Sequence, residues 1–316
     1  GLVGSEMCIR DRFRNEEVRS NVLGKPMKEP QDVPFEKEGQ YLKSDNRSNI
    51  SYFLEHNVLL RRFTLSVGVL ANYNSALNEG IHFYPGVDAS YRIGDNFRLY
   101  GSWNRALRMP TFTDLYYEGK TNKGNPDLKP EESEAFEVGL KYNTYFLRAH
   151  IAGFYRKGKN MIDWVKEKPE DIWESRNLTK VDNLGFETNL SLLPRELGNE
   201  RFFIRKIELG YVFIHQDKDS EGYISNYALD YLKHKFTAQL SHSIWKGFSA
   251  TWYVRWQDRA GSYTKYENLK PAYEEPYAPY CLVDMKVNWE YQRLNLYAEL
   301  NLSLIHISEP TRPEPI

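Results

Sequence analysis

KFTAQLSHSIWKGFSATWYVRWQ, residues 235 to 257, alternates with a period of two through nearly its whole length. Phe236, Ala238, Leu240, His242 and Ile244 stand against Lys235, Thr237, Gln239, Ser241 and Ser243. After Lys246-Gly247, Phe248, Ala250, Trp252, Val254 and Trp256 stand against Ser249, Thr251, Tyr253, Arg255 and Gln257. Successive side chains of a strand point to opposite faces, so each half is a strand with one apolar and one polar face. The short break between them is a hairpin turn. An amphipathic helix places its apolar residues three and four apart and does not produce this pattern.

The unit recurs along the chain. Ile50, Tyr52, Leu54, His56 and Val58 alternate with Ser51, Phe53, Glu55 and Asn57; beyond Arg61-Arg62, Phe63, Leu65, Val67, Val69 and Ala71 alternate with Thr64, Ser66, Gly68, Leu70 and Asn72. Similar pairs fall near 81–92 and 96–107 around Gly94-Asp95, near 133–142 and 146–156, and near 184–193 and 202–215. The last pair sets Cys281, Val283, Met285, Val287 and Trp289 before Leu294, Leu296, Ala298, Leu300 and Leu302. A short strand is expected over 15–23 and a polar connection over 24–49. The pattern predicts about thirteen strands and no helix.

Connection lengths carry the next step. Short turns near 61, 94, 143, 246 and 291 alternate with long connections near 24–49, 108–132, 157–183, 216–232 and 259–278. A soluble sandwich has no reason to gather its short turns at one end. An up-and-down transmembrane barrel does, with strands of about ten residues that are apolar on one face. In lipid every backbone polar group needs a partner, so such a sheet closes on itself. The predicted fold is therefore all-β, an antiparallel up-and-down transmembrane β-barrel, with apolar faces toward lipid. Arg255, Gln257, Lys286 and Glu299 then face the lumen, and Trp103, Trp245, Trp256 and Trp289 fall near strand ends, where an aromatic girdle sits.

Composition fits this reading. A mean hydropathy of -0.65 is low for a membrane protein, but a barrel needs apolar residues only at every second strand position. No run of about 18 apolar residues occurs, so no transmembrane helix is expected. Aromatic residues reach 15%, led by 23 tyrosines, the residue type that gathers where an apolar surface meets a wet one. A net charge of -1 argues against a nucleic-acid partner. The two cysteines, Cys8 and Cys281, supply neither a disulfide framework nor a metal spacing. The histidines lack paired ligand spacing, and no nucleophile elbow, phosphate loop or cofactor fingerprint is present. No enzyme activity and no cofactor is expected.

The ends differ from the rest. GLVGSEMCIRDR (1–12) and SLIHISEPTRPEPI (303–316) resemble conceptual translations of sequencing-library adapters, and are read as extraneous to a barrel segment spanning 13–302. Residues 1–12 show no basic start followed by an apolar core, so no signal peptide is expected there.

The run Tyr91 to Glu131, YRIGDNFRLYGSWNRALRMPTFTDLYYEGKTNKGNPDLKPE, which holds the long connection Leu107 to Glu131, gives the chain a family resemblance. With Arg105 to Tyr117 (RALRMPTFTDLYY), Gly124 to Glu131 (GNPDLKPE), Tyr155 to Trp164 (YRKGKNMIDW), Asn177-Leu178, Gly185-Phe186-Glu187 and the closing LYAELNL, it resembles the TonB-dependent outer-membrane receptors, particularly the vitamin B12 and siderophore transporters. The resemblance implies a Gram-negative outer-membrane location and a twenty-two-stranded barrel, of which this chain holds about thirteen strands. It implies a lumen closed by an N-terminal plug, and TonB-energised uptake of a bulky scarce nutrient, cobalamin or a ferric siderophore. The plug, the TonB-binding box and the first and last strands of such a receptor are expected outside this stretch, so its partners would be outer-membrane lipid, the small-molecule ligand and, through the plug, the TonB complex. A passive porin is the alternative, and a barrel enzyme a third.

Polar and aromatic groups on a loop above a barrel mouth can stack on and hydrogen-bond a bulky solute. Arg108, Thr111, Asp114, Tyr116, Tyr117 and Asn125 are the ligand-binding candidates on the first such loop, with Trp164, Trp173 and Arg176 on the next. Pro110, Asn125, Pro126, Asp127 and Pro130 suit shaping the loop better than touching a ligand, and Tyr116 and Tyr117 suit either role. Asp217, Asp219, Glu221 and Asp230 form an acidic stretch that could hold Ca2+, though without EF-hand spacing.

Overall fold

The structure, a computed structural model, describes residues 4–302 apart from 37, 78–79, 169, 199–200, 220–221, 226–230 and 268–269. Its strands are β1 (Gly4–Ser20), β2 (Lys25–Asp32), β3 (Gln40–Leu59), β4 (Phe63–Asn74), β5 (Ile81–Ile93), β6 (Phe97–Arg108), β7 (Asn122–Lys123), β8 (Glu131–Asn143) and β9 (Leu147–Lys166). There follow β10 (Trp173–Leu192), β11 (Ile204–Asp219), β12 (Ile224–Ser225), β13 (Leu232–Trp245), β14 (Phe248–Arg259), β15 (Ser262–Glu267), β16 (Lys270–Pro276), β17 (Tyr280–Tyr291) and β18 (Leu294–Leu302). Thirteen of them form one antiparallel path in chain order, β1-β3-β4-β5-β6-β8-β9-β10-β11-β13-β14-β17-β18. β2, β7 and β12 attach to its long-loop end, β15 and β16 make a separate hairpin, and the path ends on β1 and β18.

The period-two reading locates every hairpin of the wall, and the register turns it into two continuous faces. Directly paired residues share a face, so Leu54↔Val69, Val67↔Val87, Leu99↔Leu140, Phe186↔Phe213, Val254↔Val283 and Met285↔Leu300 lie on a single apolar side that runs across the sheet. The opposite side carries Glu55, Asp88, Glu137, His150, Glu187, Gln239, Arg255 and Lys286. It is concave, with a cavity of about 410 Å³ against Lys141, His150, Asn189, Gln239, Arg255 and Asp284. Aromatic rings border the apolar band at both levels. Trp103, Phe136 and Tyr155 follow one another at 6.4 and 6.5 Å toward the long loops, as do Phe213, His234 and Trp256 at 5.0 and 6.3 Å. Phe97 with Tyr142, and Phe248 with Trp289 and Tyr291, lie toward the short turns.

Four expectations are corrected. The chain is not free of helix: α1 (Phe112–Tyr116) lies in the first long loop, five residues being too few to show a period, and Pro194–Leu197 form a 3-10 turn. The connections over 24–49 and 157–183 are mostly strand, because β3, β9 and β10 run on past the apolar band, where β3 and β10 are mostly polar and β9 sets Met161, Ile162, Trp164 and Val165 on both faces, and neither pattern alternates. Residues 259–278 hold the β15–β16 hairpin. The alternation of connection lengths also has exceptions, a longer link over 193–203 at the short-turn end and a brief one over 75–80 at the other. Residues 4–12 continue β1 and pair with β3, with Ile9 opposite Leu54.

A one-layer wall has little interior, and the buried apolar side chains collect at the long-loop end. Leu128, Trp164, Val165, Leu178 and Val181 are all buried there, with Asp163, Ser175 and Ser225. Low down, β9 is flanked by β8 and β10 by β11. At the tip β10 takes β7 as partner and β9 takes β12, from the loops on the opposite sides. The two-stranded ribbon therefore turns its edges over between the Lys159–Lys180 pair and the Val165–Glu174 pair. Two-stranded ribbons twist more than wide sheets, and here Asn160 sits at φ 52 inside the turn. Gly158 allows it, since a Cβ there would meet the Val181 carbonyl oxygen at 2.9 Å.

Candidate functional site

The loop between β6 and β8 leaves the wall at a clamp. Arg108 and Glu131 are register partners, and the Arg108 guanidinium donates through Nε and Nη2 to the Glu131 carboxylate, both at 2.5 Å. The same carboxylate accepts the backbone N–H of Ile162 at 2.7 Å, which ties the root of the loop to β9. Glu131 is 6% exposed, so its charge is satisfied entirely by these donors.

From that root the chain crosses the concave mouth as a strap. Thr111 caps α1: its hydroxyl accepts the Asp114 N–H at 3.1 Å, and the Asp114 carboxylate accepts the Thr111 N–H at 3.0 Å. This reciprocal box satisfies two of the helix's orphan donors. Arg47, buried on β3, donates to the Pro110 carbonyl at 2.6 Å, pairs with Glu16 and lies 4.9 Å over the Phe112 ring. The Tyr116 hydroxyl donates to Asp45 of β3 at 2.6 Å. Burial first, and then this bond, push the Tyr116 hydroxyl well above its ordinary range.

The return limb packs back on the helix. Asn125 N–H reaches the Asp114 carbonyl at 2.8 Å and Gly124 N–H the Tyr117 carbonyl at 2.6 Å. A Cβ on Gly124 would lie 2.8 Å from the Tyr116 nitrogen, so only glycine permits this approach. The Asn125 side chain accepts the Asp127 N–H at 2.9 Å. β7 then joins β10, and Asn177 holds Lys129 from both sides, accepting its N–H at 2.8 Å and donating to its carbonyl at 2.9 Å. The strap is thus fixed at β3 on one side and at β10 on the other.

The candidates on the next loop belong to the same assembly. Trp164 is 8% exposed and meets the edge of Tyr117 at 6.5 Å. Trp173 lies beneath the Lys166 ammonium at 4.6 Å, and Arg176 donates to Tyr223 at 2.5 Å and pairs with Glu174 at 2.9 Å. Every candidate thus has a partner within the chain. Arg108, Thr111 and Tyr117 stay exposed and Arg176 is part-exposed, so these four keep accessible surface. Asp45, Arg47 and Tyr223 were not legible as site residues. The first two lie in the all-polar stretch of β3, where hydropathy carries no signal.

Of the acidic stretch, Asp217 pairs with Lys180 at 3.2 Å and Asp219 ends β11, while Glu221 and Asp230 lie outside the described residues. Among the described residues no three His, Cys, Asp or Glu side chains gather around a point where a metal could sit.

The family model described as TonB dependent receptor-like, beta-barrel, matches residues 13–302. The vitamin B12 transporter BtuB of Vibrio vulnificus is 25% identical over 244 residues, covering 58% of this chain and 39% of that protein. The iron-regulated outer membrane virulence protein of Vibrio cholerae is 27% identical over 226 residues, covering 63% and 33%. Among solved structures, the ferric enterobactin receptor PfeA of Pseudomonas aeruginosa superposes with a TM-score of 0.69 at 18% identity, over 94% of this chain and 46% of that one. The chain spans less than half the length of each of these proteins.

Proposed function

Because the chain belongs to the TonB-dependent receptor β-barrel family, we propose that it forms the outer-membrane wall and mouth of a receptor that imports cobalamin or a ferric siderophore with energy delivered by TonB. The observation that carries this reading is the strap. A loop fixed at β3 and β10 gives a shaped, polar and aromatic rim, which a receptor for a bulky solute needs over a lumen that another segment fills. A relative named vitamin B12 transporter and another named ferrienterobactin receptor support the two ligand classes.

In this reading Arg108, Thr111, Asp114, Tyr116 and Asn125 shape the rim, together with Trp164 and Trp173. Tyr117 and Arg176 present an aromatic edge and a guanidinium to solute, groups that stack on a conjugated ring and pair with an anionic chelate. The stretches 1–12 and 303–316 fall outside the residues the family model matches, which supports reading them as extraneous to the receptor sequence even though residues 4–12 extend β1 along β3. The test is uptake of labelled cobalamin and of ferric siderophores by cells carrying the full-length receptor, with and without TonB. Uptake of one class that stops without TonB is expected, and uptake that persists without TonB contradicts the proposal.

A further inference from the structure

We infer that the outward face of β8, β9 and β10 carries a binding site for the phosphate of a lipid headgroup, centred on Lys157 and Lys159. The inference rests on the apolar face being the membrane face. Along one rung of that face run Trp103, Phe136, Tyr155, Leu184 and His215, the upper border of the apolar band. The next rung out reads Arg105, Glu134, Lys157, Asp182 and Asp217, and the one beyond sets Glu132 beside Lys159 and Lys159 beside Lys180. These charges thus begin one rung above the aromatic row, at headgroup depth, where tryptophan and tyrosine anchor to the interface.

The pairing within this belt is uneven. Glu134 and Glu132, which stand opposite the two lysines on β8, are both engaged by Arg105, each at 3.4 Å. Asp182, which stands opposite Lys157 on β10, is engaged by Lys180 at 3.4 Å, and Lys180 also holds Asp217 at 3.2 Å. Tyr155 donates to Asp182 as well, at 2.8 Å. The flanking cations therefore take up the carboxylates that stand opposite the middle strand. Lys157 and Lys159 remain exposed, and among the described residues neither has a carboxylate within ion-pair distance.

Lys159 also faces Lys180 directly, and like charges opposite one another in a sheet repel. Two residues apart on one face, the two lysines have Cα atoms about 7 Å from each other, within reach of a single phosphate. An anion with several oxygens placed between them relieves the repulsion, and basic residues beside an anionic membrane surface are attracted to it. A phosphate monoester on a lipid in the adjoining leaflet has the charge, the depth and the acyl anchor that this position selects.

The test uses the full-length receptor in detergent micelles, with native mass spectrometry counting bound lipid A in its bis-phosphorylated and dephosphorylated forms. Binding of the phosphorylated form at least tenfold tighter than the dephosphorylated one is expected. Lys157→Gln/Lys159→Gln should lose that preference, and Lys157→Arg/Lys159→Arg should keep it. Inorganic phosphate should compete only at millimolar concentration. Equal binding of the two lipids, an unchanged preference in the glutamine variant, or competition by phosphate at micromolar concentration overturns the inference. Heat-modifiable migration in electrophoresis confirms that each variant is folded. TonB-dependent uptake does not require these lysines, so a failure here leaves the transport proposal standing.

Discussion

Replacing Glu131 by alanine tests how the strap is held. The carboxylate accepts the part-buried Ile162 N–H at 2.7 Å, a charge-assisted bond whose loss costs about 1.5–3 kcal/mol. It also holds Arg108, whose side chain is 55% exposed, so that pair is screened by water and adds only about 1 kcal/mol. The sum, about 2.5–4 kcal/mol, acts at the root of one loop and raises its local opening without unfolding the wall. At 1.4 kcal/mol per factor of ten, opening should rise by about two to three orders of magnitude. Hydrogen exchange on the full-length receptor in micelles reads this directly. Peptides covering 109–130 and 160–166 should lose protection, while those from β14 keep theirs. Glu131→Gln retains an acceptor for Ile162 and should fall between the two. Exchange in Glu131→Ala equal to that of the parent would refute the clamp.

Thr111→Ala removes the cap of α1 and should weaken it by about 1 kcal/mol, seen as roughly fivefold faster exchange at the Leu115 and Tyr117 amides. Tyr116 gives a pH prediction: its folded-state pKa lies above the unfolded value of 10.0, so the docked strap is fully stable below pH 10 and loses stability as the pH climbs through the raised value. Exchange across 112–117 should accelerate above pH 10 beyond the intrinsic base effect, and Tyr116→Phe should abolish that extra acceleration. Val138→Lys places a charge on the apolar face and should lower the stability of the refolded receptor in lipid vesicles by about 2–4 kcal/mol in a urea titration. Gln239→Lys, on the concave face, should leave it nearly unchanged.

Hairpins such as 235–257 were legible because one face is apolar, and a slip of one residue would carry that whole face into water. The same physics explains what stayed hidden. Beyond the apolar band β9 and β10 past Lys159 and Lys180 bury residues of both faces, Asp163, Trp164 and Val165 in succession, and residues 43–49 of β3 are polar on both sides, so strand and loop look alike in sequence. That is where Asp45 and Arg47 lie, and with them the far anchor of the strap. The exchange of edges at the ribbon tip depends on β7 and β12, two residues each, which leave no pattern at all. The loop from Leu107 to Glu131 was recognisable by its motif, but nothing in the sequence separates a loop aromatic that packs, such as Trp164, from one that keeps exposed surface, such as Tyr117.

The orientation of the wall is the claim on which the membrane placement, the lumen and the headgroup site all depend. It is tested most directly by placing single cysteines at successive positions from 132 to 142 of β8 in the full-length receptor, attaching a fluorophore to each, and measuring quenching by brominated lipid and by aqueous iodide in vesicles. Lipid quenching should be strong at 136, 138 and 140 and weak at 135, 137 and 139, with position 134 already open to iodide. A scan without this alternation, or one with lipid contact at the odd positions, would contradict the account.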